Sequence, residues 1–242
     1  MKNNYVKLIP REIREAIWPE AYFLTEEQQA VYEDAIKQFT GKARESLDIS
    51  REGSNLFKVL YLNQIGIPTA TLPQLEEVIE NNKEFLIGHY EDAPSVVLRS
   101  NGDSYKPNDY LAKSLAEIIK ERDFNHSLIL NGLELKADEN SAYGLILVPG
   151  EKFEKIEVPD FDYTNNEKIF SRVNPDYTIE WSEQGNRTFY ARDNGLSRAF
   201  LNVVLGLYSD IDHLENSYVH GRVVLVSPEG AQNFEEYISK LE

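Results

Sequence analysis

Leu196-Ser197-Arg198-Ala199-Phe200-Leu201-Asn202-Val203-Val204-Leu205-Gly206-Leu207-Tyr208-Ser209-Asp210-Ile211-Asp212-His213-Leu214-Glu215-Asn216-Ser217-Tyr218-Val219-His220-Gly221-Arg222 is the stretch on which the reading of this chain turns. Two sets of residues interleave in it. One set has the regularity of a support: Leu201, Leu205, Leu207, Ser209, Asp212, Leu214, Asn216, Ser217, Gly221 and Arg222. Leu205 and Leu207 are two apart, so on an extended chain they point inward together while Gly206 and Tyr208 point out. The second set fills the gaps with Phe200, Val204, Gly206, Tyr208, Asp210, Ile211, His213, Tyr218, Val219 and His220. Aromatic, aliphatic, acidic and imidazole side chains follow one another there without a chemical theme. An ordinary exposed strand face is not composed in that way.

The fillers share a property at the level of the codon. Val, Gly, Tyr, Asp, Ile, His and Phe can each be reached from an asparagine codon by replacing its two adenines. Lys, Glu, Gln, Met and Trp cannot, and none of them occurs among the fillers. Leu205-x-Leu207-x-Ser209-x-x-Asp212-x-Leu214-x-Asn216-Ser217, followed by Gly221-Arg222-Val223-Val224-Leu225-Val226-Ser227, resembles the variable proteins of diversity-generating retroelements. In that family an error-prone reverse transcriptase rewrites adenines of a template copied into the C-terminal part of a binding protein. The resemblance implies a non-catalytic, ligand-binding protein with a C-type lectin-like fold, in which irregular loops and short strands are held by a separate support. It also implies a variable patch at about 198–222, with Phe200, Asn202, Val203, Val204, Gly206, Tyr208, Asp210, Ile211, His213, Tyr218, Val219 and His220 contacting the ligand. That ligand would be a protein or another surface molecule, and no cofactor is implied. The chain departs from the family's pattern by continuing from Pro228 to Glu242.

On such a surface Tyr208 and Tyr218 would supply large, rigid contact area at low entropic cost. Val204, Ile211 and Val219 would add apolar contact, and Asp210, His213 and His220 polar contact and orientation. A few such anchors dominate affinity. The residues present would be one draw from a large repertoire.

Outward from the stretch, residues 1–90 read as mostly helical and are expected to support the display domain. Thr25-Glu26-Glu27-Gln28 is a capping signal, followed by Val31, Ala35, Ile36 and Phe39 at helical spacing, with Gly41 interrupting. Leu56, Val59, Leu60 and Leu62 fit a second helix. Thr71-Leu72-Pro73-Gln74 opens another, with Leu75, Val78 and Ile79 inward. From about residue 91 to 242 the texture is α+β. Strands are expected at Ser95–Arg99, at Lys168–Arg172, Thr178–Ser182 and Arg187–Arg192, and above all at Gly221–Ser227. Pro107–Arg122 is an amphipathic helix. Asn131-Gly132 is expected to turn a hairpin between Ser127–Leu130 and Leu133–Leu135. Tyr143–Val148 is a strand ended by Pro149-Gly150, Lys152–Asn165 a polar loop, and Asn233–Leu241 a closing helix.

Composition narrows the function classes. The chain has 242 residues, 25 Lys and Arg against 41 Asp and Glu, and a formal net charge of −16. It lacks the excess cations that tracking a phosphate backbone requires. There is no cysteine, so disulfides, thiolate metal sites and cysteine nucleophiles are excluded together. No apolar leader follows Met1, and no run of about 18 apolar residues spans a membrane. A cytoplasmic location is the default expectation, unless the chain is exported by another route.

Two other readings compete. Asp210, Asp212 and His213 offer carboxylate and imidazole to a divalent metal, as in a metal-dependent enzyme, but no second motif completes a ligand set. An acidic chain can also imitate nucleic acid and occupy a basic cleft, but the acids here are scattered, and solubility explains them more simply. Arg99, Asp103 and Asn108 surround a strand-to-helix junction. Helix capping and a buried arginine pair account for them most directly.

Overall fold

The computed structural model describes residues 21–50, 53–164 and 167–226. The helix expected at Asn233–Leu241 and the residues before Ala21 lie outside this range. The described chain is mixed α+β. Its elements, in order, are strand β1 (Ala21–Phe23), helices α1 (Glu26–Ala35), α2 (Gly41–Leu47), α3 (Leu56–Gln64) and α4 (Leu72–Asn82), strand β2 (Tyr90–Leu98) and helix α5 (Lys106–Ile118). Nine strands follow: β3 (Leu128–Ala137), β4 (Leu145–Glu157), β5 (Lys168–Val173), β6 (Ile179–Trp181), β7 (Arg187–Ala191), β8 (Leu196–Leu201), β9 (Leu207–Ser209), β10 (Gly221–Arg222) and β11 (Val224–Val226).

The helix starts follow from local chemistry. The Gln28 side chain accepts from the Thr25 backbone N–H at 3.0 Å, and Thr25 Oγ1 accepts from Gln28 N, so two otherwise orphaned donors are satisfied reciprocally. Gln74 accepts from Thr71 N at 2.8 Å at the start of α4, with Pro73 inside the first turn, where a missing N–H costs nothing. Among the described residues no helix is long and apolar enough to cross a membrane.

The large sheet has the order β4-β3-β2-β8-β9-β7-β5-β6, with β10 added in parallel beside the start of β2. Most neighbours are antiparallel, and β7 and β9 are parallel. Strands β2 and β8 lie at the centre, and both are buried on both faces. On one face α3 and α5 cover Val96, Leu98, Leu130 and Leu196. On the other, Leu72, Leu75 and Val78 of α4 pack with Ala93, Val97, Phe189, Leu201 and Leu207. Pro94 sits inside central strand β2 where the register with β8 shifts between Asp92 and Val96, so its missing N–H breaks no ladder bond.

Helices from the first 90 residues share one core with Leu214, Val223 and Leu225, and β1 pairs antiparallel with β11. The boundary expected near residue 90 is therefore a change of texture within a continuous core.

Three local expectations are corrected. Asn131-Gly132 does not turn a hairpin: β3 runs straight through it, with a register shift against β4 between Asn131 and Leu133. Gly132 has φ +68°, and a Cβ there would strike the Lys152 backbone, so this glycine makes a bulge where the strands press together. Strand β4 does not stop at Pro149-Gly150, and Lys152–Glu157 is strand rather than loop. Gly221–Val226 is two short strands, not one: Gly221–Arg222 joins β2 while Val224–Val226 joins β1.

Candidate functional site

The stretch from 196 to 222 divides physically as it divides chemically. Strand β8 is buried throughout. Beyond it Leu205, Leu207 and Leu214 are buried, while Val204 is 68% and Val219 87% exposed and His213 and His220 are also exposed. Tyr208, Asp210, Ile211 and Tyr218 are half-buried. Asn216 and Ser217 of the regular set are exposed; Asn216 contributes through its carbonyl, and the Ser217 hydroxyl lies against Gly53.

The loops are held from below, at intervals, by side chains and backbone groups rooted elsewhere. Arg187 of β7 donates Nε to the Leu205 carbonyl at 2.6 Å while its other nitrogens grip Glu76 of α4 in a fully buried two-point pair. Arg99, at the end of β2, donates to Ser197 Oγ at 2.8 Å and Ser209 Oγ at 2.9 Å. Asn108 of α5 donates to the Asp212 carbonyl at 2.6 Å and is itself oriented by the Tyr143 hydroxyl. Arg192 binds Asp103 at 2.8 Å and the Asp212 carboxylate at 3.0 Å. Asn55 donates to the Glu215 carbonyl at 2.8 Å. Arg198 donates to the Asn216 carbonyl at 2.7 Å and pairs with buried Asp92 at 3.0 Å. The backbone N–H groups of Gly88 and Tyr90 hold the carbonyls of Val203 and His220. Charge-assisted bonds of this kind are short and directional. They fix the path of the chain mostly through its carbonyls, the Asp212 carboxylate and the Ser197 and Ser209 hydroxyls being the exceptions among them.

At the entry to the stretch, Gly195 has φ +73°, and a Cβ would collide with the Asp103 carboxylate. That carboxylate accepts from Leu196 N at 2.8 Å, so only glycine lets it reach the strand. Arg99, Asp103 and Asn108 thus go beyond the capping and pairing expected of them, because their partners lie in the stretch itself.

A row of rings runs along this side of the sheet, half-buried at its tyrosines and buried at Phe200. Tyr190 stacks on Tyr208 at 4.3 Å, Tyr208 meets Phe200 at 5.2 Å, Phe200 lies 6.3 Å from Tyr218, and Tyr218 stacks on Tyr90 at 4.5 Å. The Arg198 guanidinium lies 4.5 Å from the Phe200 ring centre and 5.5 Å from that of Tyr218. Its Nε and Nη2 have no hydrogen-bond acceptor, and the ring faces take that place. Burial pushes the Tyr208 hydroxyl up to about 12, so it stays protonated and able to donate. Burial also raises the Asp210 carboxyl above the ordinary carboxylate range, with Asp212 adding to the effect and Arg99 and Arg192 opposing it.

Three candidate contact residues, Phe200, Asn202 and Gly206, are placed otherwise than expected. Phe200 is 1% exposed and covers Arg198, because β8 lies between β2 and β9 and is covered on both faces, so alternation cannot expose it. Asn202 builds the loop: its side-chain oxygen accepts from Val204 N at 3.1 Å and Gly206 N at 2.7 Å, and Leu205 beside it takes φ +66°. Gly206, expected to point outward, is buried, and a Cβ on it would come within 3.0 Å of the Thr188 carbonyl oxygen; Val203 is half-buried.

The acid and imidazole residues of the stretch do not converge. Asp212 is engaged by Arg192, and His213 Nδ1 lies 2.6 Å from the Tyr105 hydroxyl. Among the described residues no three His, Asp or Glu side chains are grouped to hold a metal ion.

Sequence reasoning missed Tyr90, Tyr190, Arg187 and Arg192. A charged residue among buried neighbours, such as Arg198 between Ser197 and Ala199, was the available signal. No protein-family model, no curated protein and no solved structure matches the chain.

Proposed function

We propose that this chain is a non-catalytic ligand-binding protein whose surface at residues 200–220 is diversified by retroelement mutagenesis, carried on a C-type lectin-like domain. The observation that carries the reading is the separation of support from surface. Buried leucines and hydrogen bonds from Arg187, Arg99, Asn108, Asn55 and Arg198 fix the loops, while Val204, Tyr208, Ile211, His213, Tyr218, Val219 and His220 are left partly or fully at the surface. A chain path held through its carbonyls tolerates exchange of the side chains between them. The short strands β9, β10 and β11 and the irregular loops joining them are in keeping with the lectin-like part of the proposal.

The test is genomic. The DNA flanking the coding sequence is expected to hold a reverse transcriptase gene and a near-copy of codons 198–222, differing at adenines in the codons of the exposed set. Absence of any near-copy, or differences spread evenly over the codons for Leu205, Leu207 and Leu214, would overturn the proposal.

A further inference from the structure

Resting on that reading, we infer that the binding surface includes a constant aromatic part, Tyr90 and Tyr190, which every version of the stretch would share, and that it meets a folded protein whose contact face is apolar with a basic rim. Neither tyrosine lies in the variable stretch. Tyr190 stands beside Tyr208 in the parallel register of β7 and β9 and stacks on it at 4.3 Å. Tyr90 opens β2 beside Gly221 and stacks on Tyr218 at 4.5 Å. Each is half-buried. Replacing Tyr208 or Tyr218 removes a neighbour and leaves Tyr90 and Tyr190 where their own strands put them. Partly exposed tyrosines of this kind supply contact area at little cost in side-chain entropy.

The shape and charge of the surface select the partner. Small ligands bind in concavities. A groove of about 1080 Å³ among the described residues is lined by α3, α4, Pro94, β3, β4 and the loop at Tyr177, and takes no lining from residues 196–222. The patch instead presents Val204 and Val219 as projecting apolar groups around a row of rings, which suits burial against another protein. Of the nearby cations, Arg99, Arg192 and Arg198 are buried and Arg222 is half-buried. Arg99, Arg192 and Arg198 are engaged by Ser209, by Asp103 and Asp212, and by Asp92, whereas Asp193 is exposed and Asp210 half-buried. The net charge of −16 has the same sign. Electrostatic complementarity then favours a basic rim on the partner.

The full chain would be displayed with the surface positions 204, 208, 210, 211, 213, 218, 219 and 220 randomised. Binders would be selected in parallel against lysozyme, a basic folded protein, and ovalbumin, an acidic one. Clones are expected mainly against lysozyme. In unrelated clones Tyr90→Ala and Tyr190→Ala should each weaken binding about tenfold or more, while Tyr90→Phe, Tyr190→Phe and the remote Tyr163→Ala leave it within about threefold. Hydroxyl-radical footprinting of the unsubstituted clones should show both tyrosines protected by lysozyme, whatever the alanine variants do to folding. Clones that keep their affinity without either tyrosine, with no protection, would overturn the constant part while leaving the proposed binding role intact. Clones as frequent against ovalbumin would overturn the basic rim. Failure to obtain binders to either protein would overturn the binding role and this inference together.

Discussion

Residues 196–201 and 210–220 lie close together in the chain and are physical opposites. The first six are buried without exception, including the charged Arg198. Of the second group only Leu214 is buried. Strand β8 gains its position from two neighbouring strands and a core on each face. The 210–220 segment has little regular structure of its own and is positioned by Asn108, Asn55, Arg198 and Arg192. An irregular loop can therefore be well fixed when its carbonyls carry much of the attachment, here those of Asp212, Glu215 and Asn216, with the Asp212 carboxylate added.

The sharpest way to break this comparison is to remove an attachment. Arg198→Ala leaves the Asp92 carboxylate buried without its cation and frees the Asn216 carbonyl. A loss of about 3–5 kcal/mol in urea denaturation is expected, with part of it recovered in the double variant Asp92→Ala/Arg198→Ala. Next come two adjacent residues. Leu214→Ala, in the core, is expected to cost about 2–5 kcal/mol, whereas His213→Ala, on the surface beside it, should cost about 0.5 kcal/mol or less in the same experiment. Equal losses at the two positions would erase the distinction between support and surface.

A pH experiment sharpens it further. Glu91 is fully buried on β2 beside Leu201, and neither carboxylate oxygen has a hydrogen-bond partner. Burial, reinforced by Asp92 and opposed by Arg222, pushes its carboxyl up to about 9. Between the ordinary carboxylate range and about pH 9 the folded chain holds this proton and the unfolded chain does not. Its contribution to stability is thus complete at acid pH and falls as pH rises, with a slope no steeper than about 1.4 kcal/mol per pH unit. Lys58 acts in the opposite direction, because burial lowers its ammonium to about 7, so above that pH it adds stability as pH rises toward its unfolded value. Urea denaturation from pH 5 to 7 should show Glu91→Gln with a shallower downward slope than the parent, Asp92 and Asp210 keeping their own share of it. Identical slopes would mean that the carboxyl is ionised in the folded chain. The smallest effect is expected at the loop tips: Val204→Ser and Val219→Ser should each change stability by no more than about 0.5 kcal/mol by thermal denaturation.

Legibility varied with the range of the interactions involved. The caps at Thr25 and Thr71 depend on residues three positions away and were readable directly. Leu205 and Leu207 are buried as their spacing suggested, but Leu205 sits in a loop with φ +66° and not on an extended strand, and Gly206 between them is buried as well. Asn131-Gly132 misled because the same dipeptide that turns a hairpin also forms a bulge, and only the closeness of Lys152 on β4 makes it the latter. Phe200 misled because strand alternation assumes one solvent face, and β8 has none.

By itself the sequence determined the mixed α+β class, the helix starts and the alternation of regular and irregular residues near the C-terminal end, since each rests on side chains a few positions apart. Tertiary structure alone decided that Arg187 reaches Leu205, that Asn108 reaches Asp212, and that Tyr90 and Tyr190 join the aromatic row. Those contacts link residues brought together by strand order and helix packing, and which donor meets which carbonyl is set by the fold as a whole.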